Sequence, residues 1–335
     1  MVDRLRSANS RCGQIAVALG RPFFYNIGPS ILCDRTRIRG GTPMEASRTA
    51  KLRAFFALYV TKCANTSDAH IEEAFASVPR EAFAGPGPWQ VPVSSPWRPV
   101  SFPPTYVETP DDDPAFLYQN ILIALDAKRG LNIGEPSLHA HCLDAIALQP
   151  GETVLQIGAG SGYYTAILAY LVGPEGRVIG FEIDPDLAAR AKANLEPWPQ
   201  ASIEARSGAD DELPEADAIY VNAGITQPCA AWLHALRPNG RLLFPLQPEN
   251  GFGGMLLVQK LAEGGSVWAA RFVSRAVFVA CQAPQDHEKG QGLVAAFSRG
   301  DFADVKSLRL DDTPDDTCWF NGGDWWLSTQ APDRA

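Results

Sequence analysis

Three glycines at alternate positions, Gly158, Gly160 and Gly162, follow a short apolar run near the middle of the chain. Glycine allows the backbone to approach a ligand closely, and a helix that begins after such a loop offers free N–H groups to it. Glu182 stands twenty residues beyond Gly162. A carboxylate at that separation can accept hydrogen bonds from both hydroxyls of a ribose. These residues therefore predict a nucleoside site.

The neighbouring pattern supplies the elements that would position this loop. Residues 153–157 form an apolar run of the length expected for a buried parallel strand. Residues 165–172 have helical periodicity, and 177–181 form a second predicted strand that leads directly into Glu182. A strand, a glycine turn and a helix open one half of a nucleotide-binding α/β sheet.

The spacing of the glycines narrows the choice of nucleoside. Dinucleotide-binding loops have glycines at the first, third and sixth positions, whereas the sixth position here is Tyr163. The observed G-x-G-x-G spacing is typical of enzymes that use S-adenosylmethionine. We therefore expect S-adenosyl-L-methionine as the cofactor, and nicotinamide-linked oxidoreduction is disfavoured.

Composition limits the class of protein. The 335 residues are 46% hydrophobic, which is enough for a substantial core, and the net charge of −9 disfavours nucleic acid and anionic membranes as partners. Seven cysteines are scattered without a C-x-x-C pair, which suits a reducing compartment and disfavours a zinc site. We expect a cytoplasmic monomer with no metal, no nucleic-acid partner and no membrane association.

The first 43 residues differ from the rest, with seven arginines, no lysine and only two acidic residues. One interpretation is a targeting or interaction arm. The favoured interpretation is that Met44 is the natural start and that 1–43 is a disordered or non-native leader.

Residues 44–136 are predicted to form an N-terminal helical and proline-rich lid region. One helix is expected to bury Phe55, Phe56 and Tyr59, and Ser67 is expected to cap a second helix. Seven prolines between 86 and 104 predict an extended connector. The run 111–113 of three aspartates suggests either a metal site or, because a proline follows, the start of a helix through 116–125, which we favour.

The turn before the glycine loop offers candidate acceptor contacts. Gly134 and Pro136 mark a turn, and Ser137 can cap the helix that follows or contact a substrate. His139 and His141 are too close in sequence to share a helix face, so a two-histidine metal site is disfavoured. Either histidine could contact a substrate, although packing is the simpler interpretation.

The remaining sheet can be outlined from pattern. A helix is expected from residue 185, strands near 203, over 218–221 and over 241–246, and edge strands over 255–260 and 276–281. Asn222 follows the fourth strand, where ligands bind in open α/β sheets, so it is either a substrate contact or a turn-former. Beyond 282, residues 293–297 suggest a helix. Residues 319–326 suggest a hairpin, whose tryptophans either pack against the sheet or form a ligand-binding wall.

Four stretches together resemble protein-L-isoaspartate O-methyltransferases over about residues 45–260. They are Val78-Pro79-Arg80-Glu81-Ala82-Phe83, the turn at 134–136, Val154-Leu155-Gln156-Ile157-Gly158-Ala159-Gly160-Ser161-Gly162-Tyr163 and the stretch 217–228, in the family's order. The resemblance implies a Rossmann-like class I methyltransferase of α/β class, with a doubly wound, mostly parallel seven-stranded sheet. The core would be 137–282, preceded by helices and followed by an added α/β segment at 283–335.

The resemblance also implies which residues act. Gly134 occupies the position of the family's serine near the substrate carboxylate, with Ser137 as a nearby substitute. Gln156 replaces an acid before the glycine loop, and Ser207-Gly208-Ala209 replaces a Gly-Asp-Gly whose acid approaches adenine, a role that Asp210 or Asp211 could take over. Candidate catalytic residues are Ser137, His139 and Asn222; candidate cofactor contacts are Gln156, Gly158, Ala159, Gly160, Gly162, Tyr163, Glu182, Ile183, Gly208, Ala209 and Asn222.

These patterns predict methylation of a carboxylate on a peptide, protein or small molecule, by in-line displacement. A carboxylate is already ionised near pH 7, so the reaction requires positioning rather than a strong base. Two alternatives stay open: a methyltransferase for another acceptor, such as an aspartate of a modified peptide, and a nucleoside-binding protein without catalysis.

Overall fold

A computed structural model describes residues 43–93, 104–209, 212–249, 251–262, 265–282 and 286–332, which lie within one compact unit. The leader up to residue 42, part of the proline-rich connector, and Asp210 and Asp211 lie outside the described residues. The helices are α1 (Pro43–Cys63), α2 (Ala69–Ser77), α3 (Arg80–Ala84), α4 (Pro136–Ile146), α5 (Tyr163–Val172), α6 (Pro185–Asn194), α7 (Ala230–Ala235) and α8 (His287–Arg299).

The strands form one large sheet and two small hairpins. They are β1 (Gln90–Pro92), β2 (Tyr106–Glu108), β3 (Ile123–Asp126), β4 (Leu131–Ile133), β5 (Thr153–Ile157), β6 (Arg177–Phe181), β7 (Ala201–Glu204), β8 (Ala216–Val221), β9 (Leu236–Leu246), β10 (Gly253–Gln259), β11 (Val267–Ala276), β12 (Ser307–Arg309), β13 (Cys318–Asn321) and β14 (Trp326–Ser328).

The large sheet has the strand order β13-β14-β12-β11-β10-β9-β8-β5-β6-β7 in the described chain. Strands β7, β6, β5, β8 and β9 are parallel, and every pair from β9 to β13 is antiparallel. The strand order reverses between β5 and β8, which is where a doubly wound sheet opens a crevice for ligands. The predicted α/β fold with a mostly parallel core is confirmed.

The sheet is larger than the seven strands expected, because the C-terminal segment extends its edge. Strand β12 pairs with β11, and the β13–β14 hairpin pairs with β12. The predicted edge strand over 276–281 is wrong: the strand is β11, which ends at Ala276, and 277–282 contributes only an isolated bridge at Ala280. Strand β11 alternates unevenly between buried and exposed residues, which hid it from pattern reading.

The C-terminal hairpin buries its tryptophans, as the packing interpretation predicted. Trp319, Trp325 and Trp326 are at most 4% exposed, and Trp319 packs edge-on against Phe272 of β11 and Phe297 of α8. Neither ligand-sized cavity described below is lined by these rings. The extension therefore belongs to the hydrophobic core of the sheet.

Two details of the N-terminal helices differ from expectation. Helix α1 buries Phe56 but leaves Phe55 and Tyr59 exposed, because the inward side of the helix carries Phe56, Ala57 and Val60. Asp68, rather than Ser67, caps α2 by accepting a hydrogen bond from the backbone N–H of His70.

The aspartate run does start a helical segment, but a short one. Asp113 accepts a hydrogen bond from the backbone N–H of Ala115, yet only a 3₁₀ turn over Pro114–Phe116 forms. The longer helix expected through residue 125 is wrong, because Ile123–Asp126 pairs as β3 with β4.

Replacing Leu327 by Ala is expected to lower the free energy of unfolding by about 2–5 kcal/mol, because the side chain is fully buried in the core shared with β11. Val294→Ala, on the exposed side of α8, is the control and should change it by less than about 0.5 kcal/mol. Chemical denaturation should show one transition for both; a separate transition for the extension would contradict a shared core.

Candidate functional site

The glycine loop joins β5 to α5 with a backbone that glycine suits best. Gly158, Gly160 and Gly162 all have positive φ, between 57° and 90°, where a side chain would be strained. The N–H groups of Gly158 and Ala159 donate to the carbonyl of Phe181 on β6, at 2.9 and 3.0 Å. The loop is thereby fixed against the end of the neighbouring strand.

Glu182 follows β6 and faces this loop. Its Oε2 accepts a hydrogen bond of 2.7 Å from the Gly160 N–H, and its Oε1 accepts one of 2.9 Å from the Asp184 N–H. The side chain is buried, and this burial raises the pKa of Glu182 above its ordinary value. A buried carboxylate held by two N–H groups can accept further hydrogen bonds from ligand hydroxyls.

Two adjoining cavities open at this edge of the sheet. The smaller, of about 150 Å³, is lined by Glu182, Ile183 and Gly208, and the larger, of about 580 Å³, by Gly134, Ser137, His139 and others. Both are lined by Leu125, Asn132, Gly158, Gly160, Asn222 and Val279. The site therefore has two compartments that share a wall.

Asn222 stands on that shared wall at the end of β8. Its Oδ1 accepts a 2.7 Å hydrogen bond from Nε2 of Gln156, whose own Oε1 accepts a 2.6 Å bond from the hydroxyl of Thr165. The Nδ2 of Asn222 is buried and has no hydrogen-bond partner among the described residues. Orphaned buried donors are rare in folded proteins, so this group, which lies near Tyr220, is a candidate ligand contact.

His139 lies in the wall of the larger cavity, on α4. Its ring stacks on Tyr164 with centroids 3.5 Å apart, and its Nδ1 is 2.7 Å from the hydroxyl of Tyr220. Burial, together with the nearby charge of Arg80, lowers the pKa of His139 to about 3, so the imidazole is neutral at physiological pH. The two tyrosines were not predicted as site residues, although a tyrosine inside a buried strand such as β8 needs a partner for its hydroxyl.

The imidazole of His139 occupies the space that a side chain at position 134 would need. A Cβ built at Gly134 would lie 2.1 Å from Nε2 of His139, and the carbonyl of Gly134 accepts a 2.9 Å bond from the hydroxyl of Tyr164. Any side chain at 134 must displace the imidazole. The absence of a serine at this position is thus coupled to the position of the histidine.

Ser137 is not the cap that the sequence suggested, because Glu135 is the N-cap residue of α4 and makes no side-chain capping bond. The Ser137 hydroxyl donates to Glu135 at 2.9 Å and accepts from Asn120 at 2.8 Å. Asn120 in turn belongs to a loop whose carbonyls at 117, 119 and 121 accept from the fully buried guanidinium of Arg80. Arg80 therefore fixes the turn that leads into α4.

The β3–β4 hairpin lies beside the glycine loop. Leu125 is the nearest side chain to Gly160, 3.5 Å from a Cβ built there, and Arg129 forms a 2.6 Å ion pair with Asp184. Asp184 also caps α6 by accepting from the N–H groups of Asp186 and Leu187. The hairpin is thus tied to the helix that follows Glu182.

The remaining residues predicted to contact the cofactor differ in whether they line a cavity. Ala159 and Tyr163 line the larger cavity, whereas Gly162 packs toward α6, where a Cβ would lie 3.3 Å from Ala191. Gly208 accepts a 2.7 Å bond from the indole N–H of Trp232 through its carbonyl. The side chain of Ala209 lines neither cavity.

His141, the other histidine considered as a substrate contact, also lines the larger cavity. The ring nitrogens of His141 face the carbonyls of Ala64 and Val273, at 3.2 and 2.9 Å, so this histidine joins α4 to its neighbours. Within the described ranges, no group of three or more His, Cys, Asp or Glu could hold a metal ion. None of the described helices is long and apolar enough to cross a membrane.

The strand order, the glycine loop after β5 and the acid after β6 define the class I methyltransferase fold. A family model described as protein-L-isoaspartate(D-aspartate) O-methyltransferase matches residues 106–283, more than half of the chain. A relative from Anaeromyxobacter, named protein-L-isoaspartate O-methyltransferase 2, is 30% identical over 59% of this chain and 70% of its own length. The chain belongs to the protein-L-isoaspartate(D-aspartate) O-methyltransferase family, which confirms the resemblance seen in the sequence.

Other relatives match a shorter part. Protein-L-isoaspartate O-methyltransferases of Triticum aestivum and Ignicoccus hospitalis are 37% and 34% identical over 40% of this chain. The chain spans 63% and 66% of their lengths, which is less than two thirds.

Two solved structures share the fold. A protein-L-isoaspartate O-methyltransferase structure aligns with a TM-score of 0.53 at 22% identity, over 73% of this chain and 69% of that one. A candidate member from Plasmodium falciparum, in complex with S-adenosyl-L-homocysteine, aligns with a TM-score of 0.52 at 17% identity, over 69% of this chain and 99% of that one.

Replacing Gly134 by Ala is expected to lower the free energy of unfolding by about 1–3 kcal/mol, because the new methyl group forces the His139 ring away from Tyr164 and Tyr220. Gly290→Ala, inside α8 with its nearest contact at 3.6 Å, is the control and should be stabilising by up to about 1 kcal/mol. Thermal unfolding measures both. If Gly134→Ala lowered the free energy of unfolding by the same amount in a His139→Ala background as in the wild type, the steric coupling would be contradicted.

Proposed function

We propose that this protein is an S-adenosylmethionine-dependent O-methyltransferase that methylates a carboxylate, with an isoaspartyl residue as the first acceptor to test. The observation that carries the proposal is the buried Glu182 carboxylate, which is hydrogen-bonded to the glycine loop in the wall of the smaller cavity, in a chain of this family. The larger cavity, which shares a wall with it, would receive the acceptor.

The residues of the smaller cavity fit the cofactor. A side chain at Gly158 or Gly160 would be strained, so these positions keep the backbone open to a ligand. Glu182 can accept from ribose hydroxyls, and the orphaned Nδ2 of Asn222 can donate to a ligand oxygen. When bound, S-adenosylmethionine supplies a methyl group activated by a sulfonium.

The chain's own contribution would be positioning. A carboxylate acceptor is ionised near neutral pH, so no residue has to remove a proton from it. His139 is neutral, and with Asn222 it offers hydrogen bonds at the wall of the larger cavity. Holding the acceptor oxygen in line and excluding water accounts for the catalysis required.

The coupling of Gly134 to His139 favours a second candidate, in which the acceptor is another carboxylate, such as an aspartate of a modified peptide or a small acid. The imidazole fills the space where the family's serine would project, so the acceptor contacts differ from those that the family resemblance implies. Protein repair, a cytoplasmic location and a monomeric state are part of the proposal and rest on composition and family.

Mass spectrometry of acceptors after incubation with S-adenosylmethionine tests the function. The panel is an isoaspartyl peptide, its aspartyl twin and small carboxylic acids, and a methyl ester is recognised by its loss in mild alkali. We expect esterification of the isoaspartyl form. Esterification of another acid alone would support the second candidate, and donor binding without any product would contradict both.

Replacing Glu182 by Ala is expected to raise the Kd for S-adenosylmethionine at least tenfold, about 1.4 kcal/mol, because the ribose loses a charged acceptor. Isothermal titration calorimetry measures this Kd. Glu175→Ala, in an exposed turn, is the control and should leave it unchanged. Unchanged affinity in the Glu182 variant would contradict the assigned donor site.

A further inference from the structure

We propose that Gln156 and Tyr220 are positioning residues that turn hydrogen-bond donors, from Asn222 and His139, toward the larger cavity and so make it selective for an anionic acceptor. This inference rests on the proposed carboxylate methylation and deepens it. Neither Gln156 nor Tyr220 needs to touch the acceptor, because each acts through the side chain that it orients.

The first branch is the chain of hydrogen bonds from Thr165 through Gln156 to Asn222, and its donors and acceptors are fixed. Thr165 is fully buried, and the only side-chain hydrogen bond it makes within the described residues is to Oε1 of Gln156, so its hydroxyl hydrogen points there. Gln156 must then present its NH₂ group to Asn222, which accepts through Oδ1. The NH₂ group of Asn222 is left buried beside Tyr220 without a geometric hydrogen bond, on a residue that lines both cavities.

A carboxylate at position 156 would reverse this branch. It could only accept hydrogen bonds, so Asn222 would turn its NH₂ group toward residue 156 and its Oδ1 toward the cavity. An oxygen in that place repels an acceptor carboxylate. The amide of Gln156 therefore sets the polarity of the cavity wall.

The Tyr220 branch sets the tautomer of His139. The Tyr220 hydroxyl lies 2.7 Å from Nδ1 of His139 and has Asn222 and Cys142 as further neighbours. The NH₂ group of Asn222 can only donate and the sulfur of Cys142 is a weak acceptor, so the ring nitrogen is the strongest acceptor within reach of the hydroxyl. When Tyr220 donates to Nδ1, the imidazole hydrogen resides on Nε2. Nε2 has no protein partner among the described residues, and His139 lines the larger cavity.

The two branches give the cavity neutral donors. Both groups bind an anion without the full charge of a guanidinium, and Tyr164 stacks on His139 to hold the ring in plane. Among the charged residues that line this cavity in the described chain are Glu135 and Arg275, and both are exposed. Neutral donors align a carboxylate while leaving its oxygen nucleophilic.

The tautomer can be read without any enzymatic activity. Long-range ¹H–¹⁵N correlation spectra of the labelled protein distinguish the two neutral forms, and His139→Gln assigns the signal among the five histidines. We expect the Nε2–H form in the wild type and a mixture in Tyr220→Phe. Tyr170→Phe, a surface-side tyrosine of α5, is the control and should keep the wild-type pattern. An Nδ1–H tautomer in the wild type would overturn this branch.

The Gln156 branch is tested by kinetics at pH 8 with the best carboxylate acceptor. Gln156→Glu should raise the acceptor KM at least tenfold, and Gln156→Met should raise it less, because Met removes the orienting bond without reversing it. The Kd for S-adenosylhomocysteine should stay within threefold in both. Gln149→Glu, remote from the cavities, is the charge control. An equal effect of Glu and Met would indicate a merely structural role and overturn the proposal.

The two failures are distinguishable. If no carboxylate is methylated while His139 has the Nε2–H tautomer, the proposed function fails. The Gln156 variants are then compared by their affinity for the isoaspartyl peptide, measured on protein loaded with S-adenosylhomocysteine, instead of by KM. If carboxylates are methylated but the tautomer or the order of the Gln156 variants is wrong, the positioning claim alone fails.

Discussion

The hydrogen bond between the Gly160 N–H and the Glu182 carboxylate joins the ends of two neighbouring parallel strands. It requires a loop with positive φ at three glycines and a buried acid directly after β6. A buried carboxylate is costly unless its lone pairs are occupied, and here two backbone N–H groups occupy part of them. Glu182 lines the smaller cavity, where its remaining lone pairs can accept hydrogen bonds from a ligand. The hydrogen bond that stabilises the loop therefore also leaves a place for a ligand.

The larger cavity depends on aromatic and cationic groups far from it in sequence. Arg80 is fully buried and donates to carbonyls of the 117–121 loop, which carries Asn120 to the start of α4. Tyr164 and Tyr220 then hold His139 from two sides, by stacking and by a hydrogen bond. The proposed acceptor site is therefore built on strand ends and helices, which suits catalysis by positioning.

The central sheet was predictable because its strands are short apolar runs and its loop has a specific glycine spacing. Glu182 and Asn222 were predicted as site residues for the same reason, since each follows directly after such a strand, and both line the smaller cavity. Strand β11 and the inward face of α1 were missed, because their burial is decided by distant partners rather than by local periodicity. The contact between Gly134 and His139 was equally hidden, since the sequence records a missing serine but not the ring that fills its space.

The C-terminal extension lies beyond residues 106–283, the part of the chain that the family model matches. It adds antiparallel strands to the sheet edge formed by β11 and buries its tryptophans there, away from both cavities. The segment after β11, residues 276–279, still lines the larger cavity. The extension therefore packs on the strand that leads into the wall of the larger cavity.

A crystal structure of the protein with S-adenosylhomocysteine and an isoaspartyl peptide tests the central claim most directly. The account predicts ribose hydroxyls bonded to Glu182 and the acceptor carboxylate within hydrogen-bond distance of Nε2 of His139 and Nδ2 of Asn222. A nucleoside bound away from Glu182, or a carboxylate held elsewhere, would contradict it.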